Sequence, residues 1–276
     1  MLSRWLVGGC FAHQFFNATK SKPLLPRLHQ LPRLPKRMAH SSLDGIDLGG
    51  MRKAYKKSDE AFLESDMVST DPLQQFGEWF KIASEIDDGS EANAMVLATA
   101  TKDGIPSARL VLLKGFDDKG FKFYTNYESR KGKELLTNPR ASLVFYWAKL
   151  NRSVRVEGNV EKLTEEESTT YFHSRPKNSQ IGACVSHQST PIKSRQTLID
   201  KEKELTEKYE DPESMIPKPD FWGGFRVIPE VIEFWQGQST RLHDRIVFRR
   251  LKSGEVADGE LLHQGQNGWV YERLAP

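Results

Sequence analysis

The sequence predicts a mainly β fold with inserted helices (α+β), its strands antiparallel and arranged as a barrel. Three observations carry that expectation. Between Ala94 and Leu163, short runs rich in β-branched and aromatic residues follow one another with turn residues between them. Further strands are expected at 224–235, 244–250 and 269–273, after a helical and charged stretch. Helices thus come in groups and do not alternate with strands, as a parallel α/β sheet would require.

The 276 residues suffice for one large or two ordinary domains. Apolar and charged fractions are those of a soluble globular protein, and no apolar run approaches the roughly 20 residues that span a bilayer. The net charge of +3 hides an asymmetry. Residues 1–43 hold seven cations and no acid, so the remainder carries 33 basic against 37 acidic residues. A mildly acidic body argues against a broad nucleic-acid-binding face. Of the two cysteines, Cys10 lies in this leader and Cys184 is alone in the body. That pattern suits a reducing compartment and no disulfide framework.

Residues 1–48 are set apart as a leader, and 49–276 as the folded domain. Cations without acids and scattered hydroxyl residues resemble a mitochondrial transit peptide. The alternative is a disordered tail on a cytoplasmic protein, bypassed by initiation at Met38. Gly49 to Asp66 reads as a polar, mobile arm. Asp71 and Pro72 then open a helix with Leu73, Phe76, Trp79, Phe80 and Ala83 on one face.

Ala94 to Thr101 and Ser107 to Phe116 form a hairpin about Lys102-Asp103-Gly104, and Phe121 to Tyr127 follows. Ser129 caps a helix over 130–136, and strands cover 141–148 and 153–163. Thr164 with Glu167 makes a capping box for a helix to about Ser174. Helices over 177–185 and 194–209 precede the strands near the C-terminus.

Candidate chemistry centres on Glu233 to Arg249. If the segment after its turn is extended, Arg241, His243 and Arg245 share one face. Two permanent cations beside an imidazole call for an anion, such as a phosphorylated ligand; a solvated edge strand is the alternative. Arg130 and Lys131 stand in a helix's first turn, where cations oppose the macrodipole unless a phosphate sits there. Arg109 and Lys114 share one strand at odd spacing and so face opposite ways. Tyr171, Arg175 and Ser179 offer a phenol, a guanidinium and a hydroxyl at a spacing that suits a phosphate monoester. No Gly-x-Gly-x-x-Gly follows a strand, and no Walker loop, His-Glu-x-x-His or Cys-x-x-Cys occurs. Ser239, His243 and Asp244 do not make a hydrolase triad, because neighbours in an extended chain face apart.

Long ungapped motifs carry a family resemblance. Ile232-Glu-Phe-Trp-Gln236 and Arg241-Leu-His-Asp-Arg245 resemble the signature of pyridoxine (pyridoxamine) 5′-phosphate oxidases. So do Ser107-Ala-Arg-Leu-Val-Leu-Leu-Lys-Gly115, Tyr124-Thr-Asn-Tyr-Glu-Ser-Arg-Lys-Gly-Lys133, Tyr171 to Ser189, and Trp269-Val-Tyr-Glu-Arg-Leu-Ala-Pro276. The resemblance spans about Met51 to Pro276. It implies an FMN-binding split β-barrel that forms a homodimer through its C-terminal region, with FMN between subunits. It also implies oxidation of pyridoxine or pyridoxamine 5′-phosphate by O₂ to pyridoxal 5′-phosphate and H₂O₂.

By the same resemblance, FMN meets Arg109, Leu110, Val111, Leu112, Tyr124, Thr125, Arg130, Lys131, Gln188, Ser189, Trp235 and Arg245. Ser153 stands where the family commonly has a flavin-contacting Gln. Substrate phosphate meets Lys114, Tyr171, Arg175 and Ser179. Arg241 and His243 act at the pyridine ring, with Leu242 between them. Arg52, Lys53, Ala54 and Tyr55 resemble the family's lid, with Ala54 in place of a frequent Ser. The competing functions are another split-barrel flavoprotein, such as a flavin or haem-degrading reductase, and a non-catalytic pyridoxal-phosphate carrier.

A leader of this composition does not pack, so deleting residues 1–40 should leave the melting temperature unchanged. Unfolding several degrees earlier would place the segment in the fold. Fused to a fluorescent reporter, residues 1–40 should direct it to mitochondria; a diffuse cytosolic signal would refute targeting.

Overall fold

Ten strands and five α-helices occupy the described residues, all but two short strands (Gly115–Asp117 and His263–Gln264) close to the expected positions. The computed structural model describes residues 50–51, 54–57, 60–87 and 89–276. The leader, and Arg52 and Lys53 of the expected lid, lie outside the described residues. The chain divides into units Met1–Arg52 and Lys53–Pro276, and these strands and helices all belong to the second.

Helix α1 (Pro72–Ser84) begins as its sequence dictates. The Asp71 carboxylate accepts the Leu73 N–H at 2.9 Å, and Pro72 occupies the first turn, where no N–H is needed. Its buried face carries Leu73, Phe76, Trp79 and Ala83, with Phe80 half-buried beside them.

Strands β1 (Ala94–Ala100) and β2 (Pro106–Leu112) form the hairpin, and Gly104 takes the left-handed backbone of its turn (φ +82°). The expected strand to Phe116 breaks at Leu113 and Lys114. Leu113 N–H binds Asn93 O and Lys114 N–H binds Lys122 O, so the chain leaves one partner for another. Strand β3 (Gly115–Asp117) then pairs with β4 (Gly120–Asn126). The alternation argument for Arg109 and Lys114 fails at this break.

Next come α2 (Arg130–Thr137), β5 (Arg140–Trp147) and β6 (Arg152–Lys162). Helix α3 (Glu165–Ser174) starts on the Thr164/Glu167 capping box, and α4 (Lys177–Val185) and α5 (Arg195–Lys208) follow. Strands β7 (Trp222–Gln236), β8 (Asp244–Arg250), β9 (His263–Gln264) and β10 (Trp269–Arg273) finish the chain.

Every strand pair is antiparallel, in the order β2-β1-β5-β6-β7-β8-β10-β9. Strand β7 forks this path. One edge pairs with β6 over 225–236; the other pairs with β4 over 222–227 and with β8 over 231–236. Between the two, the register skips Glu230, a bulge that accommodates Pro229. Gly158 faces this point, where a Cβ would lie 2.0 Å from the Ile228 carbonyl oxygen. The fold is thus a mixed one on an antiparallel sheet.

The arm expectation is corrected by Phe62, which is 3% exposed and packs on Trp79. Its N–H donates to Asp244 at 2.9 Å. Ahead of it, Lys56 bridges to Gln238, and Ser239 N–H donates to Lys56 O at 2.9 Å.

Phe76 lies at the centre of the core, with the rings of Phe116, Phe121 and Phe145 at centroid distances of 4.9 to 5.0 Å. Truncating Phe76 to Ala should cost about 3–5 kcal/mol. Urea unfolding checks this, and a loss below about 1 kcal/mol would mean that the surrounding rings close the cavity.

Candidate functional site

A cavity of about 490 Å³ lies among β2, β4, the start of α2, and α3 and α4. Its aromatic wall is a stack: Tyr124 and Tyr171 have ring centroids 3.8 Å apart, and Tyr124 and Trp222 5.5 Å. Local sequence makes room for it. Tyr124 pairs with Gly224, and a Cβ there would meet the Tyr124 ring at 2.8 Å. Burial raises both phenols, Tyr124 to about 12, so they remain neutral hydrogen-bonding groups.

Arg175 follows the last residue of α3 with extended backbone, because Pro176 comes next. It is therefore the cap of α3, one residue outside the helix face expected to carry it. Its guanidinium lies 4.9 Å over Trp222, and burial lowers its pKa, though a guanidinium stays charged at any working pH. Arg175 Nη1 and Asn126 Nδ2 are buried without a hydrogen-bond partner among the described residues. An unmet buried donor costs about 1–3 kcal/mol, more when charged. Lys114 and Ser179 line the same space. This wall is built to meet an anion.

A second cationic group stands at the N-terminus of α2. Ser129 caps it, its hydroxyl accepting the Gly132 N–H at 3.2 Å. Gly132 is required because a Cβ would lie 2.3 Å from the Tyr127 carbonyl oxygen. Lys131 reaches into the cavity and donates to Gln188 at 2.9 Å and to Thr125 at 3.3 Å. Burial, and then the charge of Arg109, hold its ammonium below the ordinary lysine range. Arg130 turns to Glu134, donating from Nε at 2.9 Å. Arg109 does not line the cavity. It donates to Leu97 O, Thr99 and Ser107, while Leu110, Val111 and Leu112 line the cavity.

The residues of the 235–245 stretch lie apart from this cavity: Trp235, Arg241, Leu242, His243 and Arg245 do not line it, nor do Ser153 and Ser189. Arg241 has left-handed backbone (φ +66°) and precedes β8, so it does not share an extended face with His243 and Arg245. The anion beside Arg245 is internal: Glu233 accepts its Nε–H at 2.6 Å. Burial would raise the Glu233 carboxyl, but the bonds from Arg245 and Arg155 outweigh it and hold its pKa down. His243 Nδ1 accepts the Gln238 N–H at 3.0 Å, so the neutral ring carries its proton on Nε2. Asp244 turns instead to Gln238, Phe62 and Arg273, in keeping with the rejected triad. Tyr55 sets its ring edge-on to Trp235 and His243 at 6.0 and 5.9 Å, and Ser239 Oγ donates to its carbonyl at 2.8 Å. Ala54, beside it, is exposed.

Comparison with known proteins gives one consistent result. Residues 82–208 match the pyridoxamine 5′-phosphate oxidase family, and 222–276 match the pyridoxine 5′-phosphate oxidase C-terminal dimerisation region. The pyridoxine-5′-phosphate oxidase of Bos taurus is 60% identical over 84% of this chain and 88% of its own. The chain belongs to the pyridoxine/pyridoxamine 5′-phosphate oxidase family. An oxidase of Bombyx mori with both substrates in its name is 56% identical over 84% of this chain and 90% of its own. Among solved structures, PhzG from Burkholderia lata 383, in complex with tetrahydrophenazine-1-carboxylic acid, shares the fold with a TM-score of 0.67. It is 28% identical over 79% of this chain and 98% of its own. Membership of this oxidase family makes the chain an oxidoreductase of that general type.

Cavity residues of this family member that the sequence reading missed are Asn126, Gly182, Ala183, Ser186 and Trp222. Trp222 carried a signal, as the aromatic residue directly before Gly223-Gly224 at the start of a strand. Gly182 and Ala183 carried none, since small residues on a helix usually mark packing.

Lys131 sets a pH dependence for the unliganded protein. Its folded pKa lies below its unfolded one, so the unfolded chain binds more protons between the two, and stability rises with pH across that window. Lys131→Met should flatten this rise, read by urea unfolding over the alkaline range just below the ordinary lysine pKa of about 10.4. An unchanged slope would show that other groups govern it.

Proposed function

We propose that the chain oxidises pyridoxine 5′-phosphate or pyridoxamine 5′-phosphate with O₂, with FMN as its cofactor. The products are pyridoxal 5′-phosphate and H₂O₂; the amine also consumes water and releases ammonia. The observation that carries this reading is one cavity lined by cations from different elements, Lys131 at the α2 N-terminus, Lys114 after β2 and Arg175 at the end of α3. Two phosphorylated ligands need more than one such cation. The unmet donors on Arg175 and Asn126 support the fit.

Bound FMN supplies the hydride acceptor and the route to O₂. This chain supplies position and charge. Lys131, with Arg130 and the α2 amides, would hold the flavin phosphate, and Leu110, Val111 and Leu112 would offer backbone to the ring. Lys114, Tyr171, Arg175 and Ser179 would hold the substrate phosphate. The two neutral phenols add hydrogen bonds without repelling it.

Arg241, Leu242 and His243 are absent from this cavity, and the dimerisation match supports a second copy as their source. In a homodimer with its sheet closed as a split barrel, one protomer's 235–245 stretch would complete its partner's cavity. Leu110 and Leu242, 74% and 71% exposed, are apolar surface that such a contact would cover. Arg241 would then bind the anionic pyridine oxygen, and His243 would present its Nε2–H to the ring. The Tyr55 arm, held on this loop by Ser239 and Gln238, would cover bound substrate.

Peroxide release on adding pyridoxamine 5′-phosphate to the yellow protein tests the reading. Bound flavin without peroxide would favour another flavoprotein, and binding of pyridoxal phosphate without flavin would favour a carrier. The Arg130→Ala/Lys131→Ala pair should purify largely colourless, since each charge-assisted bond contributes roughly 1.5–3 kcal/mol. Arg241→Ala should keep FMN and lose at least about 10²-fold in kcat/KM, as expected for a misplaced substrate. Near-normal kcat/KM would remove the 235–245 stretch from catalysis.

A further inference from the structure

Glu134 is the one carboxylate in contact with the cations at the start of α2 among the described residues. It lies on the second turn of that helix and is 5% exposed. Its Oε1 accepts Arg130 Nε–H at 2.9 Å, and its Oε2 accepts the Thr99 hydroxyl at 2.5 Å. Thr99 Oγ1 in turn accepts Arg109 Nη1–H at 2.5 Å, and Arg109 Nη2 lies 3.6 Å from Glu134 Oε2. Thr99 thus passes the pull of the carboxylate on to Arg109. Lys131, the third cation, has no carboxylate partner among the described residues and feels the charge of Arg109.

We propose that Glu134 is a positioning residue: it holds Arg130, and through Thr99 also Arg109, which does not itself line the cavity, in a fixed arrangement beside Lys131 before the flavin phosphate arrives. The proposal rests on FMN being the cofactor. Three cations and one carboxylate sum to +2, close to the −1.5 to −2 of a phosphate monoester near neutral pH. Left without Glu134, Arg109, Arg130 and Lys131 would repel one another, and the two guanidinium groups would lose their common anchor. Both carboxylate oxygens are engaged by donors, so the anchor is geometric as well as electrostatic.

Charge and geometry predict opposite signs, which makes the proposal testable. Glu134→Gln removes one negative charge near the phosphate, so electrostatics alone would tighten FMN. As a positioning residue, Glu134 is needed for order. A glutamine amide can accept from Arg130, but its NH₂ must donate to Thr99, which reverses the bond Thr99 now donates to Glu134 and removes its charge assistance. Titrations of the full-length protein, stripped of flavin, would compare FMN with riboflavin, which lacks the phosphate. Glu134→Gln should weaken FMN by at least about tenfold, the effect of one charge-assisted bond. Riboflavin affinity and the melting temperature should stay near wild type. Thr99→Val, isosteric without the hydroxyl, should shift the FMN to riboflavin ratio the same way. An unchanged or tighter FMN affinity in Glu134→Gln would overturn the proposal. An equal loss for FMN and riboflavin would overturn it too, since that marks a general structural role. If the wild-type protein itself binds FMN no better than riboflavin, the phosphate reading fails, and this proposal with it.

Discussion

A strand has two edges, and β7 must serve three neighbours. With β6 along one edge over 225–236, β4 and β8 have to share the other. The bulge at Glu230 separates the two halves, and the N-terminal half aligns Trp222 and Gly224 with the β4 residues that wall the cavity. The C-terminal half ends at Gln236 and delivers the loop that carries Arg241 and His243. Cavity and loop are therefore tied to opposite ends of one 15-residue strand. At about 3.3 Å per residue, such a strand is far too long to fold back on itself. Hence a single chain leaves the cavity lined without that loop.

Charge follows the same division. At the loop end, Arg245 and Arg155 are matched by the buried Glu233, and Arg273 by Asp244 and Glu64. Those ions are satisfied internally and hold β6, β7 and β8 in register. At the cavity end, Lys131 and Arg175 have no carboxylate within ion-pair distance among the described residues. Burial disfavours their charge, and no anion there restores it. Perturbed, unpaired cations of this kind mark a candidate ligand site. Glu134 stands between the two regimes, neutralising part of the α2 cluster.

Much of the fold was legible in the sequence, because local chemistry decides it. Asp71-Pro72 and Thr164 with Glu167 start helices by capping bonds made within four residues. The edges of α4, β8 and β10 follow from periodicity and turn residues in the same way. Phe62 escaped notice because a single apolar residue in a polar segment has no period; only its contact with Trp79 reveals it. The break at Lys114 was hidden too. Leu113 and Lys114 continue an alternating pattern, and the change of partner from Asn93 to Lys122 is a long-range event.

The same boundary runs through the site. By itself the sequence determined which residue types are present: the phosphate-suited Tyr171, Arg175 and Ser179, the cations at the start of α2, and the family's long motifs. Side-chain chemistry and helix position are local, so they survive without coordinates. Only the tertiary structure decided which charges have partners. It gave Arg245 to Glu233 and Arg109 to Thr99, and it left Arg175 and Lys131 facing the cavity. Partnership depends on distances of a few ångströms between residues as far apart in sequence as Arg273 and Glu64, 209 positions. No spacing rule along the chain contains that information.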